Sequence, residues 1–567
     1  MNMNNIEKVS MPIVYIALSI LLSSFCFGVY DKYLWLAVLS ASLFFIVISL
    51  KNNIVFSLVI AIFFLMGLLI NFNYYSLNPS SEFCENVKIV KIKSYCTVAN
   101  FKGRKINLTN INQKFNLGKT YLVEGKFERV IDKENGSIGE LEVRLVRNEE
   151  ETLSSKLYDL REKIYKKLEK NVGKRKAALI SSLAFGYSDI IDNEDKEEMR
   201  ELGIVHAISV SGLHTALVFT VLNMFLNKKI SLAILSVYVL FTGASASSLR
   251  ALIMIIVLNL ALDVRKSYNS LASISLSAMV FNIMSPYLIF ETGFQLSYLA
   301  TLGIILFSYK LQIKFYRLPD KLRGTLSVCL AAQIFTLPVL ICSFNEYSII
   351  FLLGNLFIVP LLNIIIIIGN MLVIAFFSQE VFDFLSYILL KLIKVFDYVT
   401  DIILDINIGN LVVNSGVIII YLSILISIYF MIKGHKKFIL LPVSAFISMY
   451  IYIYSPFLRI NYLDYGGLLV SYRGDRCIIT QKNNIDISKL KKITISKKSY
   501  RSIYKMSIAG VAYIEEQGKN YLLTLGENKF LLKISNKSVE DSNYGIINFI
   551  SREDKGIFIF DEDIYIY

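Results

Sequence analysis

Apolar residues fall in long blocks along this chain. Met11–Tyr30, Tyr33–Leu50, Ile54–Ile70, Ser348–Ile374 and Val413–Ile432 are each almost unbroken hydrophobic runs, and crossing a bilayer takes roughly 17–25 such residues. The first three are joined only by "DKY" and "KNN", which predicts three transmembrane helices over residues 1–71. No A-x-A-like site separates the first run from the next two, so it reads as a span and not as a cleavable signal. With Lys8 and Lys51 on the cytoplasmic side, the third span leaves the membrane on the outside near Asn71.

The period then changes. Residues 72–150 are polar and carry short runs of β type, "VKIVKI", "SYCTVANF", "KINLTNI" and "TYLVEGKFERV", punctuated by Gly and Asn. About five strands in this length predict a small OB-like barrel, placed outside by the charge rule. Residues 151–176 switch to helical spacing: Leu157, Leu160, Ile164, Tyr165 and Leu168 share one face and charge fills the other, which predicts a helix lying on the membrane surface. Hydrophobic segments return over 177–456. Within them Val381–Ile408 is broken by Lys391, Lys394, Asp397, Asp401 and Asp405. It can lie on the membrane surface or span; the spanning reading is preferred because it puts both basic loops, "YKLQIKFYRLPDKLRG" and "MIKGHKK", in the cytoplasm. From 457 to 567 the pattern alternates around tight turns, as in hairpins. The fold class is therefore a polytopic α-helical membrane protein with an extracellular OB-like β-barrel domain and a small C-terminal β-rich soluble domain.

Composition sharpens this in three places. The formal charge of +14 is partly the Lys/Arg excess of cytoplasmic loops, so it does not by itself imply a nucleic acid. Six cysteines are too scattered for a metal array or a disulfide scaffold. Cys84 and Cys96 fall in the segment placed outside, where a disulfide is permitted; a bonded pair and two unpaired thiols both remain open. There are three histidines in all, and no metal or other cofactor is expected.

Polar side chains inside the apolar middle carry the functional signal, because in hydrocarbon they face the protein interior or a wet cavity. "HAISVSGLH" holds His206, Ser209, Ser211, Gly212 and His214; "TGASASSLRAL" adds Arg250; Gln295, Gln333 and Asn355 follow in three further polar-interrupted stretches. Interrupted helices around a cavity explain the clustering of Gly and Pro beside them. Close helix packing by small residues explains the serines equally well. In the outer segment Lys88, Lys91, Lys93, Lys102, Arg104 and Lys105 interleave with Tyr95, Phe101 and Phe115, the pattern of a sequence-tolerant single-strand binder. Aromatics filling a barrel core are the competing explanation.

The ordered motifs "GIVHAISVSGLHTALV", "TGASASSLRALIM", "ETGFQLSYLATLGI", "AAQIFTLPVL" and "GNLFIVPLLN" closely resemble the competence region of ComEC-type DNA-uptake channels. Ala246 stands where proline is common in that family. The resemblance implies a channel in the bacterial plasma membrane that passes one DNA strand into the cytoplasm during natural transformation. It also implies an outer DNA receptor and a cytosolic ATPase as partners; no P-loop is present in the chain itself. His206, Ser209, Ser211, Gly212, His214, Arg250, Gln295, Gln333 and Asn355 would line the pathway, with Arg250 as the fixed cation. Many members end in a metallo-β-lactamase-like domain. Here "INYLDYGGLLVSYRGDRCIIT" resembles its opening strands, but no histidine follows His435. The tail is expected to be a reduced, metal-free version without enzymatic activity.

Two other classes compete. "GASAS" contains a G-x-S pattern at Ser245, as an intramembrane serine protease would, with His206 or His214 as base. Broken helices also suit a secondary transporter of small solutes, which the basic outer segment does not favour.

Overall fold

The computed structural model describes residues 11–93, 96–110, 115–208, 210–265, 267–406, 409–463, 466–482, 485–508, 510–534, 544–549, 556–560 and 563–566. The chain forms two units, Met1–Val339 with Ser348–Gly409, and Leu340–Tyr347 with Asn410–Tyr567.

The first unit opens with the three expected helices, α1 (Pro12–Val29), α2 (Leu34–Lys51) and α3 (Ile54–Ser76). Polar groups tie α1 to α3 and to the later helix Ser270–Met284: Asn71 Nδ2 donates to Ser24 Oγ at 2.7 Å, and Ser24 Oγ to Asn282 Oδ1 at 2.7 Å. Such bonds join helices where apolar contact gives little preference over lipid.

A closed five-stranded barrel follows, of β1 (Glu82–Ile92), β2 (Thr97–Phe101), β3 (Arg104–Thr109), β4 (Thr120–Glu128) and β5 (Ser137–Glu150). The strands close in the order β1-β2-β3-β5-β4, with β3 and β5 parallel and the other pairs antiparallel. This fits the OB-like reading. Alternation sends Phe83, Val87, Ile89, Ile106, Leu108 and Leu141 inward.

Helix α4 (Leu153–Val172) begins at Thr152, whose Oγ1 accepts from Ser155 N–H. Ile164, Tyr165, Leu168 and Val172 are buried in one core with α5 (Lys174–Phe185), so the face expected to rest on the membrane surface packs on protein. The face is covered because α5 is almost wholly buried along its length and needs protein on every side.

The unit continues through α6 (Asn193–Glu201), α7 (Gly212–Phe225), α8 (Lys228–Phe241), α9 (Ala246–Asp263), α10 (Ser270–Met284) and α11 (Thr292–Lys314). Then come α12 (Asp320–Phe344), whose last turn belongs with most of β6 (Glu346–Ser348) to the second unit, and, back in the first unit, the single turn α13 (Phe351–Leu353), a π-helical turn Gly354–Ile358, α14 (Val359–Ala375) and α15 (Gln379–Leu404). Of the segment 381–408, read as a span, residues 381–404 lie in the amphipathic helix α15, and 407–408 lie outside the described residues. Phe382, Leu385, Leu389, Ile393, Phe396 and Ile403 form its buried stripe, while Lys391, Lys394, Asp401 and Asp405 are exposed. Those charges keep it outside the set of eight described helical stretches long and apolar enough to cross a membrane, which are α1, α2, α3, α9, α11, α12, Phe351–Ala375 and Lys436–Ile453. Gly212–Phe225, Ser270–Met284 and Gly416–Ile432 are shorter apolar helices.

The second unit contains β7 (Asn410–Val412), paired with β6, then α16 (Gly416–Ile432) and α17 (Leu440–Ile453). The β-rich tail comprises β8 (Leu458–Leu463), β9 (Gly467–Tyr472), β10 (Asp475–Ile479), α18 (Ile487–Thr494), β11 (Lys498–Tyr500), β12 (Lys505–Ile508), β13 (Ala512–Gln517), β14 (Asn520–Leu525), β15 (Asn528–Lys533), β16 (Gly545–Asn548), β17 (Gly556–Phe560) and β18 (Asp563–Ile566). It forms a six-stranded sheet, β11-β10-β9-β8-β17-β18, and a five-stranded sheet, β12-β13-β14-β15-β16, whose apolar residues share one core.

Candidate functional site

The first turn of α7 and the first turn of α9 meet. Ser211 precedes α7 as its cap residue and Ser245 precedes α9, where its Oγ accepts from Ser248 N–H at 3.2 Å and donates to Val210 O at 3.1 Å. Gly243 and Ala244 both have positive φ, 93° and 51°, so the chain turns sharply into α9. Ala246 is the first helical residue of α9. Its N–H has no partner in the helix, which explains why proline is acceptable there.

Serines then bridge the helices. Gly212 N–H donates to Ser247 Oγ at 3.0 Å, and Ser297 Oγ of α11 donates to the same atom at 3.2 Å. One turn into α9 lies Arg250, 8% exposed. Its Nη1 donates to Thr301 Oγ1, and its Cζ lies 5.9 Å from the ring centre of Tyr298. Its Nε is buried and has no hydrogen-bond partner. Among the described residues no carboxylate pairs with Arg250, although most buried guanidinium groups are paired. Gly212 abuts it: a Cβ there would lie 2.6 Å from Nη2 and 3.5 Å from the Ala251 methyl. The small residue makes room for the cation.

The histidines separate into two environments. His214 is 2% exposed, and its Nδ1 accepts from Ser211 N–H at 3.3 Å. It caps its own helix, and the neutral ring then carries its proton on Nε2. The imidazole is thus buried at the start of α7, beside the Gly212–Arg250 contact. His206 is exposed between the buried Ile204 and Ala207. Ser209 lies outside the described residues.

Gln295, Gln333 and Asn355 do not join the Arg250 cluster through their hydrogen bonds. Gln295 Nε2 donates to Ile289 O at 2.8 Å, Gln333 Oε1 accepts from Thr336 Oγ1 at 3.4 Å, and Asn355 Nδ2 donates to Phe351 O at 2.7 Å. Asn355 does sit in the π-helical turn, and such turns often mark working parts of helices. A Cβ on the turn's first residue, Gly354, would collide with Leu202 O; Gly203 next to it has φ 69°. The turn is thereby fitted against the segment leading to His206.

Sequence reasoning missed Ser247, Ser297, Tyr298 and Thr301. The usable signal was spacing: 297, 298 and 301 lie on one helical face within "ETGFQLSYLATLG".

The barrel's basic residues divide by role. Lys91 is exposed; Lys102 is exposed, bonded to Glu85 at 2.9 Å and 4.7 Å from the Phe101 ring centre. Lys88 Nζ donates to Ser154 Oγ at 2.8 Å, and Lys93 is half-buried. Arg104 is occupied, donating from Nε to Tyr74 O at 2.7 Å and from Nη2 to Asn73 O at 2.8 Å, which fastens β3 to the end of α3. Lys105 Nζ stands 3.9 Å from the Tyr287 ring centre, and burial pulls its pKa below the ordinary lysine value. Two of the interleaved aromatics fit the core alternative. Phe101 and Phe115 are core residues, packed edge-on against Phe83 at 5.0 Å and Tyr121 at 5.1 Å, because a five-stranded barrel needs large side chains to fill it. Tyr95 lies outside the described residues.

Cys84 and Cys96 are both free thiols, the first exposed and the second buried. Ile92 pairs with Thr97 across β1 and β2, so Cys84 lies eight residues back along a continuous strand, roughly 27 Å away. A disulfide needs about 4.4–6.8 Å between Cα atoms. The bonded alternative is excluded by strand geometry.

A family model described as "Competence protein" matches residues 183–438. "ComE operon protein 3" of Bacillus subtilis (strain 168) is 29% identical over 231 residues, covering 39% of this chain and 29% of that protein. The match thus spans under a third of that relative's length. No solved structure matches. The Gly212–Arg250–Thr301 cluster falls inside the matched region, and the barrel and the β-rich tail fall outside it.

Proposed function

We propose that this chain, whose residues 183–438 match the competence protein family model, passes single-stranded DNA across the bacterial plasma membrane during natural transformation. The observation that carries the reading is Arg250, a buried guanidinium with no described carboxylate partner, set against the glycine that opens α7. An uncompensated cation inside apolar helices is costly and is retained where an anion visits it. The N-terminal ends of α7 and α9 add the positive ends of two helix dipoles beside it. A phosphodiester moving through would meet these in place of water.

In this reading the barrel lies outside and Lys91 and Lys102 give the incoming strand a sequence-independent hold. An outer DNA receptor delivers the strand, and a cytosolic ATPase supplies the work. The tail is a reduced metallo-β-lactamase-like domain without metal or nuclease activity, so the opposite strand is degraded by another protein. Against the protease reading stand the hydrogen bonds that Ser245 Oγ makes to Val210 O and accepts from Ser248 N–H, and the one that His214 Nδ1 accepts from Ser211 N–H.

Deletion of the gene, with complementation by the intact chain, tests this through transformation frequency and uptake of labelled DNA. Loss on deletion and recovery on complementation are expected. Normal DNA uptake in the deletion strain, or a defect confined to a small solute, would overturn it.

A further inference from the structure

The β-rich tail carries a surface that neither the family match nor the pathway uses. Leu458 and Ile460 of β8 and Ile557 and Ile559 of β17 point into the core between the sheets. Residues of opposite parity therefore face the other way. Register aligns them in one row across five strands: Arg476 opposite Ser471, Ser471 opposite Arg459, Arg459 opposite Phe558, and Phe558 opposite Tyr565. Two guanidinium groups and two aromatic rings thus lie side by side.

Tyr452, at the end of α17, overhangs this row. Its ring centre is 4.5 Å from Arg459 Cζ and 5.8 Å from Arg476 Cζ. Between them is a notch of about 360 Å³ lined by Tyr452, Arg459, Phe558 and Tyr565, within the size range of small-ligand sites. Phe457 braces it from the side, 5.0 Å from Phe558 and 5.4 Å from Phe560. Arg476 is 7% exposed; Nη1 donates to Thr494 O at 2.8 Å, while Nε is buried without a partner. Among the described residues no carboxylate pairs with Arg459 or Arg476, and none lines the notch.

We infer that this notch binds one unpaired nucleotide of single-stranded DNA, its base stacked on Phe558 and Tyr565 beneath Tyr452 and its phosphate on Arg459. The inference rests on the DNA-transport reading for the identity of the polymer. Rings with accessible faces beside cations are what a sequence-tolerant single-strand site requires. Tyr452 and Tyr565 are each 51% exposed, so both rings have a face to offer. A lipid headgroup would satisfy the guanidinium but leaves the aromatic slot without a flat occupant.

The test uses the purified full chain in detergent with a single-stranded oligonucleotide carrying 5-iodouracil. Photocrosslinks mapped by mass spectrometry are expected at Tyr452, Phe558 or Tyr565. Arg459→Ala and Phe558→Ala should each lower crosslinking at these residues about tenfold, and Arg459→Lys should lower it less. If Phe558→Ala does not fold, Tyr565→Ala on the half-exposed edge strand replaces it. Crosslinks found only elsewhere, or crosslinking here that Arg459→Ala leaves unchanged, would overturn the inference. So would competition by phosphatidylglycerol vesicles with none by unlabelled oligonucleotide, which would assign the notch to lipid. Transport is not read in this assay. A chain that crosslinks here but does not support transformation refutes the channel, and a chain that supports transformation without the crosslink refutes the notch.

Discussion

Gly212 and Arg250 compete for one volume: a Cβ on the glycine would stand 2.6 Å from the arginine's Nη2. The N–H of that glycine is simultaneously held by Ser247 Oγ, in the first turn of the helix bearing the arginine. Position 212 therefore controls where the guanidinium points. Gly212→Ala should turn it away from its present place and cut transformation by tenfold or more, while membrane abundance falls far less. Gly212→Leu should abolish transformation. Measuring abundance beside transformation separates this from a packing role, which would lower both together.

Arg250→Ala should likewise abolish transformation at near-normal abundance. Thr301→Val is more diagnostic. It removes the acceptor for Nη1 and keeps the charge, so it should give a partial loss if Thr301 positions the guanidinium. A well-expressed Arg250→Ala protein with unimpaired uptake would remove the proposed phosphate contact.

How legible was this site? Glycine and arginine were each visible as anomalies in apolar runs, because burying either a gap or a charge there needs a reason. Their contact was not, since positions 212, 250 and 301 meet only when α7, α9 and α11 converge, and no local period encodes that. The long apolar helices α1–α3 and the barrel were readable because one depends on block length and the other on a period of two. Helix α4 misled: its amphipathic face is the same whether lipid or α5 covers it. In α15 the charges and the buried stripe from Phe382 to Ile403 share one helix, and a hydrophobic-block reading sees only their average. Phe101 and Phe115 interleave with lysines simply because strands alternate.

Cys84 and Cys96 should both react as free thiols in protein never exposed to reductant. Cys84 is exposed and should label in the folded state; Cys96 is buried and should label only on unfolding. Alkylation followed by mass spectrometry reads both. Labelling that appears only after reduction would contradict the strand register.

Asp486 caps α18, accepting from Lys489 N–H at 3.1 Å and from Ser488 N–H at 2.9 Å. The Lys489 N–H, then the Ser488 hydroxyl, hold its carboxyl below the ordinary aspartate value. A depressed carboxyl contributes stability that is fully present above its unfolded value, about 3.9. That contribution is lost as pH falls through the lower folded value. Asp486→Ala should cost about 1 kcal/mol, read as roughly fivefold faster local hydrogen exchange over 487–494 at neutral pH. The wild-type advantage should disappear in strong acid. Equal exchange in both proteins at neutral pH would show that the cap contributes nothing.

Arg104 and Lys91 look interchangeable in the sequence, and the barrel gives them opposite duties. Arg104 spends its guanidinium on Tyr74 O and Asn73 O at the end of α3, whereas Lys91 is exposed on β1. Hydrogen bonds from a charged group are worth about 1.5–3 kcal/mol. Arg104→Ala should therefore lower thermal stability by several degrees. Lys91→Ala should leave the melting temperature unchanged and weaken binding of single-stranded DNA to the full chain. It should also reduce the slope of log affinity against log salt by about 0.7, the increment that neutralising one phosphate of a single strand contributes. A salt slope unchanged by Lys91→Ala would take this lysine out of the DNA-binding surface while leaving the Arg104 anchor intact.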